Sequence, residues 1–421
     1  MFRKAGITIA VLILSIFLGC MLLGLVYCIP QQAIEPQVKN AAMIIREEGG
    51  YPEISPYATS TLDNWTDSIM LMEAAFPTEG SPLKNAMLVQ RYGADSYPYG
   101  SGSVPYEEFP HYYETGEYEQ VIDYPNYWHG YLVFLKPLLA VMEFREIRVL
   151  NGIVQTVLTF VICLLLWRKK AFLVFPYLLC VGLLMPAATA KCMQFSSCFY
   201  LFSLSCLAIL LLDARTHLHW LLFLCSGIAT AYFDFLTYPL AVFGMPALLC
   251  LFLEKEGAPL SGIKKILGFL LAWVLGYGLM WLGKLAAGSI ILGQNLFIES
   301  MDHVNYWVSD WDYSIGHAFY SCISNFARTP VMILAVVYLL FMAVQLLIAC
   351  KKGTLELKCF LHRSLPFLIP AVLPFVYYAI MLNPTVTHGG LFGHKALIVT
   401  SFAGLGFLAQ ETARIRNKKN T

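Results

Sequence analysis

The stretch ILGFLLAWVLGYGLMWLGKLAAGSIILG, residues 266–293, carries one charge, Lys284. About 20 consecutive apolar residues suffice to cross the hydrocarbon core of a bilayer, so this run reads as a transmembrane helix with a cation at one end. Similar runs recur along a chain that is 58% hydrophobic and 13% charged, with a mean hydropathy of +0.63. A water-soluble globule does not carry that balance. The expected fold class is an all-α polytopic membrane protein with about ten transmembrane helices and a large first extracytoplasmic loop containing juxtamembrane helices.

Working outward from that run, apolar segments of usable length fall at residues 6–27, 147–167, 171–189, 195–212, 218–235, 237–254, 264–284, 331–350, 365–382 and 395–410. The opening MFRK and the apolar stretch behind it are laid out like a signal sequence. No small-x-small cleavage site follows, so the segment reads as a retained first span. Lysine and arginine favour the cytoplasmic side in short loops. With a cytoplasmic start, Arg3 and Lys4, the WRKK of 167–170, Lys264 and Lys265, Lys351 and Lys352, and the RIRNKK tail all fall inside. This orientation places both termini in the cytoplasm of a multi-pass plasma-membrane protein. It divides the chain into a first span (1–28), an outer loop (29–146), a transmembrane core (147–284), a second outer loop (285–330) and C-terminal spans with a cytoplasmic tail (331–421). Residues 127–142, YWHGYLVFLKPLLAVM, are too interrupted by Lys136 and Pro137 to span and read as an amphipathic helix in the outer interface.

A net charge of +1 with no basic stripe excludes a dedicated nucleic-acid binder. None of the 12 cysteines forms a C-x-x-C pair, and six lie in apolar spans, where cysteine behaves as a small hydrophobe. Only Cys192, Cys198 and Cys322 are placed to face an oxidising side.

The polar residues near the outer helix ends are Asp63, Asp67, Asp123, His129, Arg145, Arg148, Asp234, Lys284, Asp302, His303, Asp310, Asp312, His388, His394 and Lys395. Ionisable groups at a membrane boundary are costly and are functional candidates by default. Asp67, in DNWTDSIMLMEAAF, is a candidate general base, with Asp63 next; alternatively Thr66 caps a helix whose dipole Asp67 serves. Asp234 either caps a helix in a tight turn or orients a cation or a substrate hydroxyl. In TVTHGGLFGHK, His388, His394 and Lys395 can present donors to an anion; two histidines on a glycine-rich loop fix no third metal ligand, so a divalent cation is possible but not required. Lys284, Arg148 and Lys395 are hydrogen-bond donors only, suited to a lipid phosphate, although snorkelling to headgroups accounts for any one of them. Ten tyrosines lie between Tyr92 and Tyr131, with Trp128 among them. They fit either an interfacial anchoring belt or a cleft for a carbohydrate.

With this layout the chain resembles integral-membrane glycosyltransferases of the GT-C type, which take polyprenyl-phosphate-linked sugars as donors. The resemblance covers roughly residues 1–290 in architecture. It rests on one span after a cytoplasmic start, the acidic LDNWTDSIML in a large outer loop, the juxtamembrane YWHGYLVFLKPLL, and the arginine opening REIRVLNGIVQTVL; HGGLFGHK is similar to late histidine and basic motifs of some bacterial relatives. It implies Asp67 or Asp63 as general base, Lys284, Arg148, Lys395 and His394 on the donor phosphate, and His129, Asp234, His388 and Trp128 orienting substrate. The implied partners are a polyprenyl-phosphate sugar lipid, a glycan, glycolipid or polymer acceptor of the cell envelope, and membrane lipids, with no nucleic acid. A flippase or transporter of lipid-linked glycans, or another membrane transferase or polymerase, would use similar groups.

Overall fold

The computed structural model describes residues 2–77, 79–93, 104–212, 216–234, 236–254, 259–309 and 313–420. The chain is helical almost throughout: α1 (Phe2–Val26), α2 (Gln31–Glu48), α3 (Asn64–Ala75), α4 (Pro82–Leu88), α5 (Pro105–Thr115), α6 (Leu132–Leu139), α7 (Phe144–Lys170), α8 (Val174–Leu183), α9 (Pro186–Lys191), α10 (Met193–Leu212), α11 (His219–Phe233), α12 (Leu240–Leu253), α13 (Pro259–Leu292), α14 (Leu296–Ser309), α15 (Ile315–Ala327), α16 (Met332–Lys351), α17 (Leu357–Ile380), α18 (Leu382–His388) and α19 (Ile398–Asn420). A small antiparallel pair, β1 (Arg91–Gly93) and β2 (Gln120–Ile122), sits in the loop before α6.

Among the described residues, seven helical segments are long and apolar enough to cross a membrane, and α11 and α12 are shorter apolar helices. Side chains such as Ile13, Phe160 and Ile333 stand exposed on these helices, a placement that suits lipid rather than water. The expected separate span at 171–189 takes a different form. α7 continues through a 3-10 turn into α8 as one 40-residue segment ending at Leu183. Met185 then adopts a left-handed φ of 55° and Pro186 starts the six-residue α9. Proline lacks the N–H that would continue the helix but suits a first-turn position, so the chain breaks there.

Local chemistry sets several helix starts. Glu143 and Glu146 form a reciprocal capping box at the start of α7, and Arg168, Lys169 and Lys170 complement the dipole at its end. α3 is capped by Asp63, whose carboxylate accepts from the Thr66 N–H at 3.1 Å. The cap is therefore three residues upstream of the threonine expected from sequence. Residues 127–142 fold as a short α6 whose Lys136 is turned inward to the Ala74 carbonyl at 2.6 Å, instead of snorkelling outward. The segment 285–330 is largely helical, with α13 running on to Leu292 before α14 and α15.

The tightest helix pair is α11 against α13. A Cβ added at Gly227 would lie 2.1 Å from the Trp273 carbonyl oxygen, and one at Gly276 would lie 2.2 Å from that of Leu224. Both neighbours are backbone and cannot rotate away, so the two glycines set the interhelical distance. Gly276→Ala is expected to cost about 1–3 kcal/mol, read as a lower thermal midpoint in detergent. Gly278→Ala, facing open space, is expected to raise it slightly, because alanine favours the helix where nothing crowds its Cβ.

One end of the bundle gathers the C-terminal ends of α1, α11 and α13 with the N-terminal ends of α7 and α10, under the cap formed by α2–α6. At the opposite end lie the ion pairs Lys265–Glu254 and Arg363–Glu411. The cap is packed into the bundle through a shared apolar core that includes Leu23, Ile45, Leu71, Leu132, Leu224 and Met280.

Candidate functional site

At the cap end, the first turn of α10 meets α3. The Met193 N–H donates to both carboxylate oxygens of Asp67, at 3.0 and 3.3 Å, while the Gln194 side-chain amide donates to Asp63. Asp67 thus caps the start of a helix 126 residues further along the chain. Arg148, near the start of α7, completes the group. Its guanidinium donates to Glu48 at 2.7 and 2.9 Å and to the Asn64 side-chain oxygen at 3.1 Å, and lies 4.0 Å from Asp67.

Asp67 is fully buried and Asp63 nearly so. Burial penalises their charged forms and pushes Asp67 up to about 7, opposed by Arg148 and the α10 backbone, and Asp63 up to about 6, opposed by hydrogen bonds from Thr66 and Gln194. Two adjacent acids therefore titrate near neutrality, where a carboxyl group can exchange protons.

Two concavities flank these acids. The first is an aromatic, largely apolar cavity of about 140 Å³ walled by residues such as Trp65, Ile69, Tyr124, Tyr127 and Leu236, with Thr66, Gln194 and His388 among its polar groups. Thr66 and Gln194 both bond Asp63, which places that acid directly behind the cavity wall. His388 stacks on Phe392 with ring centroids 4.6 Å apart, and its buried surroundings push its imidazole down to about 4, so it is neutral at pH 7. The second is an apolar groove of about 390 Å³ between α6, α7 and α10, lined by residues such as Leu138, Leu150, Val154, Leu204 and, at one end, Met70 and Met193. The consecutive residues Met193 and Gln194 thus hold the two acids by their N–H groups while lining the groove and the cavity respectively.

The segment between the two concavities is also tied together. His129, at a left-handed φ of 51°, donates from Nε2 to the Tyr124 carbonyl at 2.9 Å, and its Nδ1 lies 3.0 Å from the Tyr131 hydroxyl and 3.2 Å from Glu73. Tyr131 donates to Glu73 as well. Tyr131 lines the groove and Tyr124 the cavity, so His129 links both walls from behind. Gly130 is required here: its N–H donates to the Tyr232 carbonyl at 2.8 Å, and a Cβ would come within 2.5 Å of that oxygen.

The structure brings together Asp63, Asp67 and Arg148, with His388 across the cavity, but it does not line that cavity with the other cations. Lys284 is fully buried, donating to the Met87 carbonyl at 2.9 Å and lying 5.9 Å from the centre of the Trp128 ring. Lys395 is fully buried, donating to the Leu184 carbonyl at 2.9 Å. Neither snorkels. His394 is buried on the Gly389 carbonyl. Trp128 is buried, its indole donating to the Met280 carbonyl at 2.8 Å, so it serves helix packing. Asp234 accepts from the N–H and hydroxyl of Thr237, closing the turn between α11 and α12; α12 itself starts at Leu240 with no side-chain cap, so the expected helix cap is not made. Among the outlying candidates, Asp123 bonds Gln90 and Arg145 forms an exposed pair with Glu47. Asp310 and Asp312, and the side chains of Asp302 and His303, lie outside the described residues. No three histidine, cysteine, aspartate or glutamate side chains gather as metal ligands among the described residues, and Cys192, Cys198 and Cys322 are free thiols.

Sequence reasoning passed over Glu48, Glu73 and Gln194 as site residues and gave Asn64 no role beyond glycosylation. Asn64 opens an Asn-x-Thr sequon, yet its amide is buried, donating to the Gly49 carbonyl at 2.7 Å and to Glu48 at 3.1 Å. The folded chain cannot carry a glycan there.

Lys284→Met supplies a direct test of what that lysine does. Burying an unpaired ammonium is costly, and an apolar side chain of similar length removes that cost, offsetting the loss of the donor to the Met87 carbonyl. The variant is expected to melt at or above the wild-type temperature, so any accompanying loss of activity would report a role beyond packing.

No protein-family model matches the chain, and no curated protein or solved structure matches it either.

Proposed function

We propose that this protein is a membrane transferase acting on a lipid-linked substrate, specifically a glycosyltransferase that moves a sugar from a polyprenyl-phosphate donor to an acceptor on the extracytoplasmic face. The observation that carries this reading is the adjacency at Met193 and Gln194. A substrate with an apolar chain in the groove and a polar head in the cavity would straddle the two buried acids. An amphiphile is the ligand class that matches a long apolar groove beside a smaller aromatic cavity carrying a few polar groups, the two meeting at ionisable groups.

In this mechanism Asp67, or Asp63 behind the cavity wall, takes the proton of an acceptor hydroxyl as that oxygen attacks the anomeric carbon and the bond to the lipid phosphate breaks. Fixed cations near the departing phosphate would stabilise its charge. Arg148 is the cation the structure holds closest to Asp67, although Glu48 already neutralises it in part. Lys284 and Lys395 can join only through their remaining donors, since each already holds a backbone carbonyl. His388 presents a neutral ring for orienting hydroxyls.

The test is turnover of radiolabelled polyprenyl-phosphate sugars by the purified protein in lipid nanodiscs. Transfer that rises with pH through the region of pH 6–7 supports the buried pair as base. Transbilayer movement of the sugar lipid without bond formation would establish the flippase reading instead.

A further inference from the structure

A third concavity, sharing no residue with the cavity or the groove above, opens in the cap between α2, α5 and β1, with a volume of about 1100 Å³. We propose that it binds a neutral saccharide chain several units long. Tyr92 stacks on Tyr112 with centroids 4.1 Å apart, and Tyr118 leans on Tyr92 at 4.4 Å while meeting Tyr112 edge-on, so the first two rings brace the third as the outermost ring of the cluster. Tyr118 is 52% exposed, which leaves its ring open to a ligand. Tyrosine offers a broad apolar surface with a polar tip, suited to the C–H face and hydroxyls of a pyranose.

The rim supplies the matching hydrogen-bond groups. Glu107 and Glu119 offer acceptors, and Arg46, paired with Glu114, and His111 offer donors. The volume exceeds the ~300–1,000 Å³ usual for one small ligand, which favours a chain over a monosaccharide. The carboxylate excess works against phosphate or uronate ligands. The carboxylates are too dispersed to form a metal site among the described residues. They are also solvated, Glu117 being 80% exposed, so salt screens them and the tyrosine face is the part of the cleft that can be dried by a ligand.

This site is read by binding alone, so it stands or falls separately from the transfer reaction. The full-length protein in nanodiscs is mixed with neutral hexasaccharides of glucose, galactose, mannose and N-acetylglucosamine, and with chitosan hexasaccharide and oligolysine as cationic probes. Association is measured calorimetrically, and contacts are mapped by saturation transfer from protonated tyrosine rings in otherwise deuterated protein. At least one neutral hexasaccharide is expected to bind and to receive saturation from tyrosine. Tyr118→Ala should weaken it about tenfold, Tyr118→Phe should retain it, and Asp67→Asn should bind as wild type. Failure of all four neutral sugars, transfer arising from no tyrosine, affinity unchanged in Tyr118→Ala, or binding of the cationic probes alone would overturn the proposal.

Discussion

Arg148→Met is expected to destabilise the protein by about 3 kcal/mol, the lower end of the range for breaking a buried ion pair. The side chain is 6% exposed, and its removal strands Glu48, the Asn64 oxygen and Asp67 together in a poorly hydrated site. Glu48 is 31% exposed and retains some hydration, which keeps the cost from the upper end. For a chain of this length the thermal midpoint should fall by about 3 °C. Arg148→Lys should restore little, because one ammonium cannot reproduce the fork that reaches Glu48 and Asn64 together. Adding Glu48→Gln should recover part of the loss, and a double-mutant cycle reads that coupling. Equal melting of Arg148→Met and wild type would show that the acid cluster does not depend on the arginine.

Asp67→Asn is expected to lower transfer at least about a hundredfold, the smaller end of what a positioned base contributes. Its effect on stability has the opposite sign at high pH. The folded-state pKa of Asp67, about 7, lies above its unfolded value of 3.8. The folded state therefore binds more protons than the unfolded chain between those values, so stability falls as pH rises. The favourable contribution is complete below about pH 4 and is lost as pH climbs through about 7. An asparagine keeps an oxygen for the Met193 N–H but does not ionise. The variant should thus lack this part of the pH dependence and melt above wild type at pH 8, by an amount on the order of 2–4 kcal/mol. Retained transfer in Asp67→Asn with loss in Asp63→Asn would move the base to Asp63. A wild-type melting temperature that rises from pH 5 to pH 8 would contradict the burial argument itself.

How far the sequence discloses this arrangement depends on the range over which each contact acts. Hydropathy registers over some twenty residues, so the long apolar helices, including α13 with Lys284 near its far end, are legible with ends shifted by a few positions. Capping is also local, and LDNWTDS carries it, although Asp63 and not Thr66 is the residue that folds as the cap. The break after α8 was marked by Met185–Pro186, but a composition window averages across such a break. The partners of the charged residues leave no short-range trace. Arg148 meets Glu48 across 100 residues, Lys284 meets Met87 across 197, and Lys395 meets Leu184 across 211. Two of those partners are backbone carbonyls, which any residue supplies. That is why three cations read as converging on one phosphate, whereas the structure seats each on a different acceptor. Gln194 and Glu73 were passed over for a related reason: in sequence they are single polar residues on helices, and only packing sets them against Asp63 and His129.

The bond from Asp67 to the start of α10 bears on how this protein can be taken apart. The segment preceding α7 is not a detachable module, because it stoppers a transmembrane helix and hands its own acids to that helix for neutral company. A chimaera joined near residues 29 and 143 would need its donor to bring matching residues at 148, 193 and 194, or the graft would leave carboxyl groups and amides facing one another's absence. Recombination between distant chains of this build should therefore succeed at junctions behind α10 far more readily than at the seemingly convenient loop edges.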